Sequence, residues 1–422
     1  MKIGIIGSGG REHALCYKLK QSSKIKKIYC FPGNAGTRDL SENIEIDIDN
    51  FELLKNFILE KKIDYIIVGP EKPLVNGLVD YLEKYNIKVF GPNKIASQLE
   101  GSKIFTKKLC EDFNIPTAKF GVFNKIDDAV KYVSNKNFPI VIKADGLASG
   151  KGVYIVENLA SAIVSINEIF NGKFGEAKQI LIEEFIDGEE MSYFIISDGK
   201  TFKKFQTAQD HKRVNEGDTG KNTGGMGAYS PSGLLNKDLD QKIIKKVIEP
   251  TLMGLKAHGT NYKGFLYAGL MIKNNEPYLI EYNVRMGDPE CQTILPKLEN
   301  DFFEIIQSCI DERLNTTQIK WSENKSICIV VCSNGYPDNF ENEVEITGLE
   351  NLIKEVNSNQ LIFHAGTKYI NNNTFSNGGR VLNFVTISEN FKTAREQTIN
   401  LIKKLNWKNG FYRKDVGHRV IK

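Results

Sequence analysis

Short apolar runs alternate with helical stretches over the first hundred residues. The runs that predict β-strands comprise residues 2–6, 28–31, 65–68 and 88–90. Such runs, separated by helical stretches, predict an α/β fold with an open parallel sheet. A glycine or proline turn follows every run, at the sheet edge where open α/β sheets bind ligands. We therefore expect a small-molecule site at this edge.

A second pattern begins near residue 101. It comprises a helix at 103–113, strands at 139–144 and 153–156 around a glycine-rich loop, and strands at 179–184 and 191–197. This mixture of short strands and loops predicts a small subdomain inserted into a larger domain. We expect it to span about 120–190 and to act as a mobile lid.

The remaining residues complete that domain and add another. A helix near 238–258 precedes strands at 264–273 and 276–282, which Asn274 and Asn275 join in a hairpin-type turn. Strands at 326–333, 361–368 and 380–387 precede a final helix at 390–405. We therefore predict a multidomain α/β and α+β protein with units at 1–100, 101–325 and 326–422.

Composition narrows the class of protein. The chain has 422 residues, of which 41% are hydrophobic and 26% charged, as in globular proteins. Its net charge of +4 is spread along the chain without the basic stripe that nucleic acid requires. The seven cysteines lie mostly in apolar runs, which predicts buried reduced thiols, and we see no signal peptide or long apolar span. We expect a cytoplasmic monomer that binds neither nucleic acid nor membrane.

The first chemical motif follows the first strand. Gly7, Gly9 and Gly10 lead into a helix, where free backbone amides and the forked Arg11 guanidinium suit a phosphate. A dinucleotide site is an alternative, but Glu12 stands at its third glycine position and the second strand ends without a carboxylate. A purely structural turn is the other alternative.

The second motif is a lysine clamp. Lys143 ends an apolar strand, and Lys151 lies in the small-residue loop that follows. Two ammonium groups with exposed backbone amides suit a triphosphate. The loop is not a Walker motif, because Gly152 replaces the required hydroxyl residue. A flexible surface turn remains the alternative.

The third motif is an apolar strand, 180–184, followed by a bend and a returning strand. This arrangement offers main-chain donors and acceptors to an adenine edge, and a carboxylate to a ribose. Four glutamates lie within eight positions here: Glu183, Glu184, Glu189 and Glu190. A solvated strand edge is the alternative interpretation.

The fourth motif lies on the strand that ends near residue 283. Alternate residues of a strand share a face, so Glu281, Asn283 and Arg285 point the same way. Carboxylate and amide oxygens suit Mg²⁺, and the guanidinium suits charge on a transferring phosphoryl group. Three solvent-exposed polar side chains would produce the same pattern.

Together these motifs make the chain similar to the ATP-grasp superfamily and, within it, to the phosphoribosylamine–glycine ligase family. The resemblance covers essentially the whole chain. Further family segments occur at 32–37, 69–71, 101–103, 209–212, 224–231 and 364–367. Val284, Met286 and Cys291 depart from the usual family pattern, which puts only fine packing in doubt.

The resemblance implies roles for individual residues. For ATP these are phosphate contacts by Lys103, Lys143 and Lys151, adenine contacts by Glu183, Glu184, Phe185 and Ile186, and a ribose contact by Glu190. For Mg²⁺ or Mn²⁺ they are Glu281 and Asn283. For the phosphoribosyl group they are Gly9, Gly10, Arg11, Asn34 and Glu71, and for the meeting point of glycine and the amine they are Asp210, Gly225, Met226, Arg285, Asp288 and Pro289. Arg285 and Lys143 would be catalytic.

The implied reaction joins glycine to 5-phosphoribosylamine through glycyl phosphate, with ATP as phosphoryl donor. The sequence shows no Ser-His or Cys-His arrangement, and none is needed for this chemistry. Three alternatives remain open. They are another ATP-grasp carboxylate–amine ligase, a non-catalytic nucleotide-binding protein and an oxidoreductase.

Overall fold

The computed structural model describes residues 1–147, 152–175 and 177–421. Its first unit is a five-stranded parallel sheet in the order β3-β2-β1-β4-β5. The elements are β1 (Lys2–Gly7), α1 (Gly10–Lys20), β2 (Lys27–Pro32), β3 (Glu42–Asn43), α2 (Phe51–Lys61), β4 (Tyr65–Val68), α3 (Glu71–Asn76), α4 (Leu78–Glu83) and β5 (Lys88–Phe90). The predicted parallel sheet is confirmed.

The second unit contains a small subdomain at the position where the sequence predicts a lid, and its sheet is called the lid sheet below. It begins with α5 (Gln98–Gly101), α6 (Lys103–Asp112), β6 (Phe120–Phe123), α7 (Ile126–Val133), β7 (Ile140–Ala144), β8 (Val153–Val156), α8 (Leu159–Phe170) and β9 (Ile180–Glu184). The strands pair antiparallel in the order β6-β9-β7-β8, and α7 and α8 share a hydrophobic cluster with them.

The chain leaves the lid sheet after β9 and builds a central sheet in the order β11-β10-β16-β17. The elements are β10 (Glu189–Asp198), β11 (Phe202–Lys204), β12 (Gln209–Asp210), β13 (Arg213–Asn215), β14 (Thr219–Asn222), β15 (Gly227–Ser230), α9 (Lys237–Ile243), α10 (Glu249–Ala257), β16 (Lys263–Lys273) and β17 (Glu276–Asn283). A π-helical segment, Ile244–Ile248, links α9 to α10.

One expectation about this region is wrong, because β10 does not return beside β9. It pairs with β16 instead. A Cβ on Gly188 would lie 2.6 Å from the carbonyl oxygen of Ile272, so the chain here lies directly against β16 and is directed into the central sheet. The predicted hairpin of β16 and β17 is confirmed, with Asn274 and Asn275 in the left-handed conformation that a tight turn requires.

The last unit is an antiparallel sheet in the order β12-β15-β18-β22-β19, with β23 beside β18. Its elements follow α11 (Glu290–Ile294) and α12 (Phe302–Ile310); they are β18 (Lys325–Ser333), α13 (Leu349–Glu355), β19 (Gln360–His364), β20 (Thr367–Ile370), β21 (Asn373–Ser376), β22 (Arg380–Ser388), α14 (Phe391–Ile402) and β23 (Gly410–Phe411). Because β12 and β15 precede residue 326, this sheet continues across the predicted boundary between the second and third units.

The N-terminal sheet is buried on both faces, as its nearly continuous apolar strands require. Ile66 and Val68 join one hydrophobic cluster, which also contains residues of α9, α10 and the central sheet. Tyr65 and Ile67 join another, with residues of α1, α11 and α12. All seven cysteines lie within the described residues and are buried and unpaired, as predicted. Among the described helices, none is long and apolar enough to cross a lipid bilayer.

Two buried histidines connect the N-terminal sheet to the C-terminal sheet. The His13 Nδ1 accepts a hydrogen bond of 2.9 Å from the backbone amide of His364, and the two rings lie 5.7 Å apart. Burial lowers the pKa of both imidazoles, that of His364 to about 4. Both rings are therefore neutral near neutral pH, and protonation of either would bury an uncompensated charge.

We therefore expect the free energy of unfolding to fall as the pH is lowered. The folded-state pKa of His364 lies below the ordinary value of 6.5. Between pH 6.5 and about pH 4 the unfolded chain consequently binds more protons than the folded chain. The stability that is present above pH 6.5 is therefore lost as the pH falls through this range. Over the whole range, His364 lowers the free energy of unfolding by about 3 kcal/mol. Denaturant unfolding measured from about pH 7 to about pH 5 should show this slope.

His364→Gln should flatten that slope. His258→Gln, at an exposed histidine beyond the end of α10, is the matched control and should leave it unchanged. Equal slopes in wild type and His364→Gln would contradict the assignment.

Candidate active site

The proposed metal face lies at the end of β17. Tyr282 and Val284 are buried, whereas Glu281, Asn283 and Arg285 are partly exposed on the opposite side. The register shifts at Ile280, because Leu279 pairs with Leu270 and Glu281 with Gly269, and the alternation resumes at Glu281. The expected common face therefore exists in the structure, although β17 itself ends at Asn283 and Arg285 lies two residues beyond it.

Glu281 lies among cationic side chains. Burial opposes its ionisation, but Lys212, Lys143 and Lys103 outweigh that effect and lower its pKa. The Lys212 Nζ lies 3.5 Å from Glu281 Oε1 and 2.9 Å from Glu190 Oε2. An ammonium thus occupies the space between two carboxylates where a cation is favourable. Glu281 and Asn283 supply the hard oxygen donors that Mg²⁺ and Mn²⁺ prefer, so the donor set fits such an ion.

A buried charge cluster joins the lid to α6. The Lys143 Nζ lies 3.0 Å from Glu183 Oε1 and donates to the carbonyl of Ile280 at 3.3 Å. The Lys107 Nζ lies 3.3 Å from the same Glu183 oxygen. Burial lowers the pKa of Lys107, and repulsion from Lys143 contributes to that shift. Two lysines therefore share one carboxylate, which leaves net positive charge beside the lid sheet.

The other residues expected to contact ATP surround this cluster. The Lys103 Nζ donates to the carbonyl of Gly146 at 2.8 Å, at the start of the lid loop. Glu184 and Phe185 are exposed and Ile186 is half-buried, where the chain passes from the lid sheet to the central sheet. Lys151, expected to contact phosphates, lies outside the described residues.

Arg285 is held between two carboxylates. Its Nη2 lies 2.6 Å from Glu100 Oε1 and its Nε 3.3 Å from Glu71 Oε2. Its Nη1 donates to the carbonyl of Met286 at 3.2 Å, which also accepts from the Arg11 Nη1 at 3.3 Å. Burial opposes the charge on Arg285, but the two carboxylates raise its pKa. The guanidinium is thus fixed in orientation before any substrate binds.

The pKa values of the two carboxylates beside Arg285 shift in opposite directions. Burial disfavours ionisation of Glu71, but Arg285 and Arg11 outweigh it and lower the pKa to about 2. For Glu100, burial dominates and raises the pKa to about 7. Glu100 also accepts a hydrogen bond of 2.8 Å from the backbone amide of Val284. It therefore ties the end of the metal face to α5.

The turn after β1 is occupied by carboxylates. Glu12 Oε2 accepts from the Gly9 amide at 2.6 Å, and Asp288 Oδ2 accepts from the Arg11 amide at 3.1 Å. Glu12 Oε1 also lies 2.6 Å from the Arg11 Nε. Negative charge at a helix N-terminus is favourable, and here Glu12 and Asp288 supply it. A phosphate held by Arg11 would have to compete with Glu12. A Cβ on Gly10 would lie 2.3 Å from Asn383 Nδ2, so side chains also pack against this turn.

The remaining expected substrate residues differ in accessibility. The Asn34 amide donates to the carbonyls of Ser8 and His364 at 2.8 and 3.0 Å, so it holds this turn. A Cβ on Gly225 would lie 2.7 Å from Pro289 Cδ, which brings these two residues together. Met226 is fully buried, with its sulfur 3.8 Å from the thiol of Cys332.

Asp210 lies close to the metal face. It is largely buried, and burial raises its pKa to about 8. Lys212 opposes the shift, whereas the carboxylates of Glu290, Glu190 and Glu281 add to it. The charges of Asp210, Lys212 and Glu281 are therefore coupled.

Four residues at the site lay outside the sequence predictions: Glu100, Lys107, Lys212 and Arg380. Lys107 follows Lys103 by one helical turn, a spacing that places both on one face of α6. The Arg380 Nη1 donates to the backbone carbonyl of Asp288 at 2.7 Å and lies 3.3 Å from its side chain. No local pattern signals Glu100 or Arg380, because their partners lie far away in the chain.

Family models match the chain along most of its length. The N domain of phosphoribosylglycinamide synthetase matches residues 1–100, its ATP-grasp (A) domain residues 101–291 and its C domain residues 326–419. The phosphoribosylamine–glycine ligase of Brucella melitensis is 44% identical over 422 residues, which cover 100% of this chain and 98% of that protein. That of Pasteurella multocida is 44% identical over 426 residues, with the same coverage.

Solved structures have the same architecture. The phosphoribosylamine–glycine ligase of Thermotoga maritima superposes with a TM-score of 0.85 at 31% identity, covering 99% of this chain and 100% of that one. A biotin carboxylase of Campylobacter jejuni superposes with a TM-score of 0.71 at 17% identity, covering 96% and 91%. At that identity the second similarity shows the fold alone.

Proposed function

Because the chain belongs to the phosphoribosylglycinamide synthetase family, we infer that it joins glycine to 5-phosphoribosylamine in purine biosynthesis. The products are glycinamide ribonucleotide, ADP and phosphate. The observation that carries this inference is similarity over the full length to named ligases, at 44% identity. The three domain models also support a division into a substrate domain at 1–100, an ATP-grasp domain at 101–325 and a C-terminal domain.

ATP is proposed to bind between the lid and the central sheet. Lys143, with Lys103 and Lys151, would contact its phosphates, and the buried pairing of Lys143 and Lys107 with Glu183 supports positive charge there. Residues 183–186 would hold the adenine and Glu190 the ribose. The exposure of Phe185 supports this role, because an exposed aromatic ring can stack on a base.

Glu281 and Asn283 are proposed to hold Mg²⁺ or Mn²⁺. When bound, the ion would neutralise phosphate charge during phosphoryl transfer. Support comes from the ionised state of Glu281 and from the Lys212 ammonium beside it. The protein's own groups fix the remaining geometry, since Arg285 is already oriented by Glu71 and Glu100.

Glycine is proposed to lie between β12 and Arg285. Its carboxylate would face Arg285 and Lys212, and its ammonium would face Asp210. The phosphoribosyl group would extend towards Gly9, Gly10 and Glu71, with Asp288 and Pro289 between the two substrates. All of these side chains belong to one chain, so we propose that a monomer is active.

The chemistry follows from the low reactivity of a carboxylate towards an amine. A glycine carboxylate oxygen attacks the γ-phosphorus of ATP, ADP leaves, and glycyl phosphate forms. The phosphoribosylamine nitrogen then attacks the glycyl carbonyl carbon, phosphate leaves with the former carboxylate oxygen, and the nitrogen loses a proton. Arg285 and Lys143 balance the developing charge, so no enzyme nucleophile is required.

The test is product formation by the purified chain with ATP, Mg²⁺, glycine and freshly prepared phosphoribosylamine. We expect glycinamide ribonucleotide by mass spectrometry, with one ADP per product and none without glycine. ADP release that needs another amine or another acid, with no glycinamide ribonucleotide, would instead identify a different ATP-grasp ligase. Equilibrium titration with NAD(P)H should show no binding.

A further inference from the structure

A cluster of charged side chains lies around His211, the residue that follows β12. It contains His211, Asp218 and His418, whose ligand atoms lie within 4.8 Å of one another. Asp218 accepts from the Arg413 Nη1 at 2.9 Å and from the Arg419 Nη2 at 2.5 Å. Two guanidinium groups on the one carboxylate disfavour a cation here, so the cluster does not suit a metal.

The cluster has a defined proton arrangement. The His211 Nε2 accepts a hydrogen bond of 2.9 Å from the Gly417 amide, so the proton of the neutral ring is on Nδ1. Nδ1 lies 3.3 Å from Asp218 Oδ1 and donates towards it. Burial lowers the pKa of His211, which keeps the ring neutral. Asp218 therefore connects a buried histidine to two arginines of the C-terminal segment.

The C-terminal segment, residues 413–419, forms several hydrogen bonds and ion pairs with the β13–β14 hairpin. Arg413 is almost fully buried and donates to the carbonyl of Arg213 at 2.9 Å. Asp415 pairs with Arg413 at 2.6 Å and accepts from the Gly217 amide at 2.9 Å. The contacts to Arg213 and Gly217 join residues 200 and 198 positions apart in the chain.

His211 connects this segment to the active site. It stands between Asp210 and Lys212, and alternate side chains along an extended chain point to opposite sides. The Lys212 Nζ accordingly reaches Glu190 and Glu281, whereas the His211 ring is buried among Asp218 and residues 413–419. Any displacement of His211 must therefore move Asp210 and Lys212.

We propose that Asp218, Arg413 and Arg419 are positioning residues for the ligase reaction, because they fix the glycine-facing side of β12 through His211. This proposal rests on the proposed function, in which Asp210 and Lys212 face glycine. The ATP-facing groups Lys143 and Glu183 lie on β7 and β9, and among the described residues no hydrogen bond or ion pair joins these two strands to the segment. Lys212 also pairs with Glu190, the proposed ribose contact, so ATP binding is affected as well. The KM for glycine should nevertheless rise more than the KM for ATP, because both Asp210 and Lys212 face glycine.

The test compares Asp218→Asn with Asp338→Asn. The first change removes the charge that pairs with both arginines. The second removes the 2.8 Å pair between Lys221 and Asp338, which tethers the same hairpin to the C-terminal domain without involving His211. We expect Asp218→Asn to raise the KM for glycine about tenfold, with the KM for ATP changed less than about twofold. Asp338→Asn should change neither.

This KM difference separates positioning from stability. Loss of folded enzyme lowers the apparent kcat but leaves both KM values unchanged. If Asp218→Asn fails to fold, Arg419→Gln replaces it in the test. The Arg419 side chain is partly exposed, and Arg413 still pairs with Asp218 in this variant. Arg419→Gln should raise the glycine KM about threefold, and Arg419→Lys should restore part of it.

An unchanged glycine KM in the folded variants, or equal rises in both KM values, would overturn the proposal. If the wild type itself forms no glycinamide ribonucleotide, the proposed function has failed instead.

Discussion

Replacing Glu281 by Gln should lower turnover about a hundredfold or more while the chain remains folded. The amide keeps the shape of the side chain but removes the charge that Lys212, Lys143 and Lys103 keep ionised. That charge is proposed to bind the divalent ion, and losing several kcal/mol of transition-state stabilisation corresponds to a rate loss of this size. Turnover should be measured over a range of Mg²⁺ concentrations, and the half-saturating concentration should rise.

Glu276→Gln is the matched control, because it changes the same residue type at the other end of β17. Glu276 pairs with Lys242 and Lys246 at 2.8 and 2.7 Å, away from the site. It should leave turnover unchanged. Turnover of Glu281→Gln within about threefold of wild type, with the same Mg²⁺ dependence, would rule out the metal assignment.

Replacing Arg285 by Lys should lower kcat/KM about a hundredfold, despite the retained charge. The guanidinium reaches Glu71 through Nε and Glu100 through Nη2, and a single ammonium cannot keep both contacts in that geometry. Arg285→Ala should lose more activity, and also stability, because it leaves the ionised Glu71 without its nearest cation. Steady-state kinetics and thermal unfolding of each variant measure the two effects.

Arg313→Lys provides the control for the substitution itself. Arg313 pairs with Asp311 at 3.0 Å on the exposed surface and should tolerate the change. If Arg285→Lys retains activity within about threefold of wild type, the simultaneous contact of the guanidinium with Glu71 and Glu100 is unimportant. Arg285 would then act only as a point charge.

The elements with strong local signals were predictable from the sequence. The apolar strands of the N-terminal sheet are buried on both faces, so their composition marks them clearly. The pair Asn274 and Asn275 tolerates the left-handed conformation that a tight hairpin needs. The common face of Glu281, Asn283 and Arg285 followed from strand alternation alone.

Features that depend on contacts distant in sequence were not predictable. The path of β10 depends on the close approach of Gly188 to β16, some eighty residues later. Glu100 reaches Arg285 across 185 positions, and Arg413 reaches Asp218 across 195. Lys107 is different, since its helical spacing from Lys103 was a usable signal.

The central claim is that ATP activates the carboxylate of glycine, and oxygen tracing tests it most directly. The purified chain should convert glycine labelled with ¹⁸O in both carboxylate oxygens, and the released phosphate should be analysed by mass spectrometry. Attack of the carboxylate on the γ-phosphorus, followed by displacement of phosphate, predicts one ¹⁸O atom in each phosphate. Phosphate without ¹⁸O, formed together with glycinamide ribonucleotide, would show that glycyl phosphate is not an intermediate.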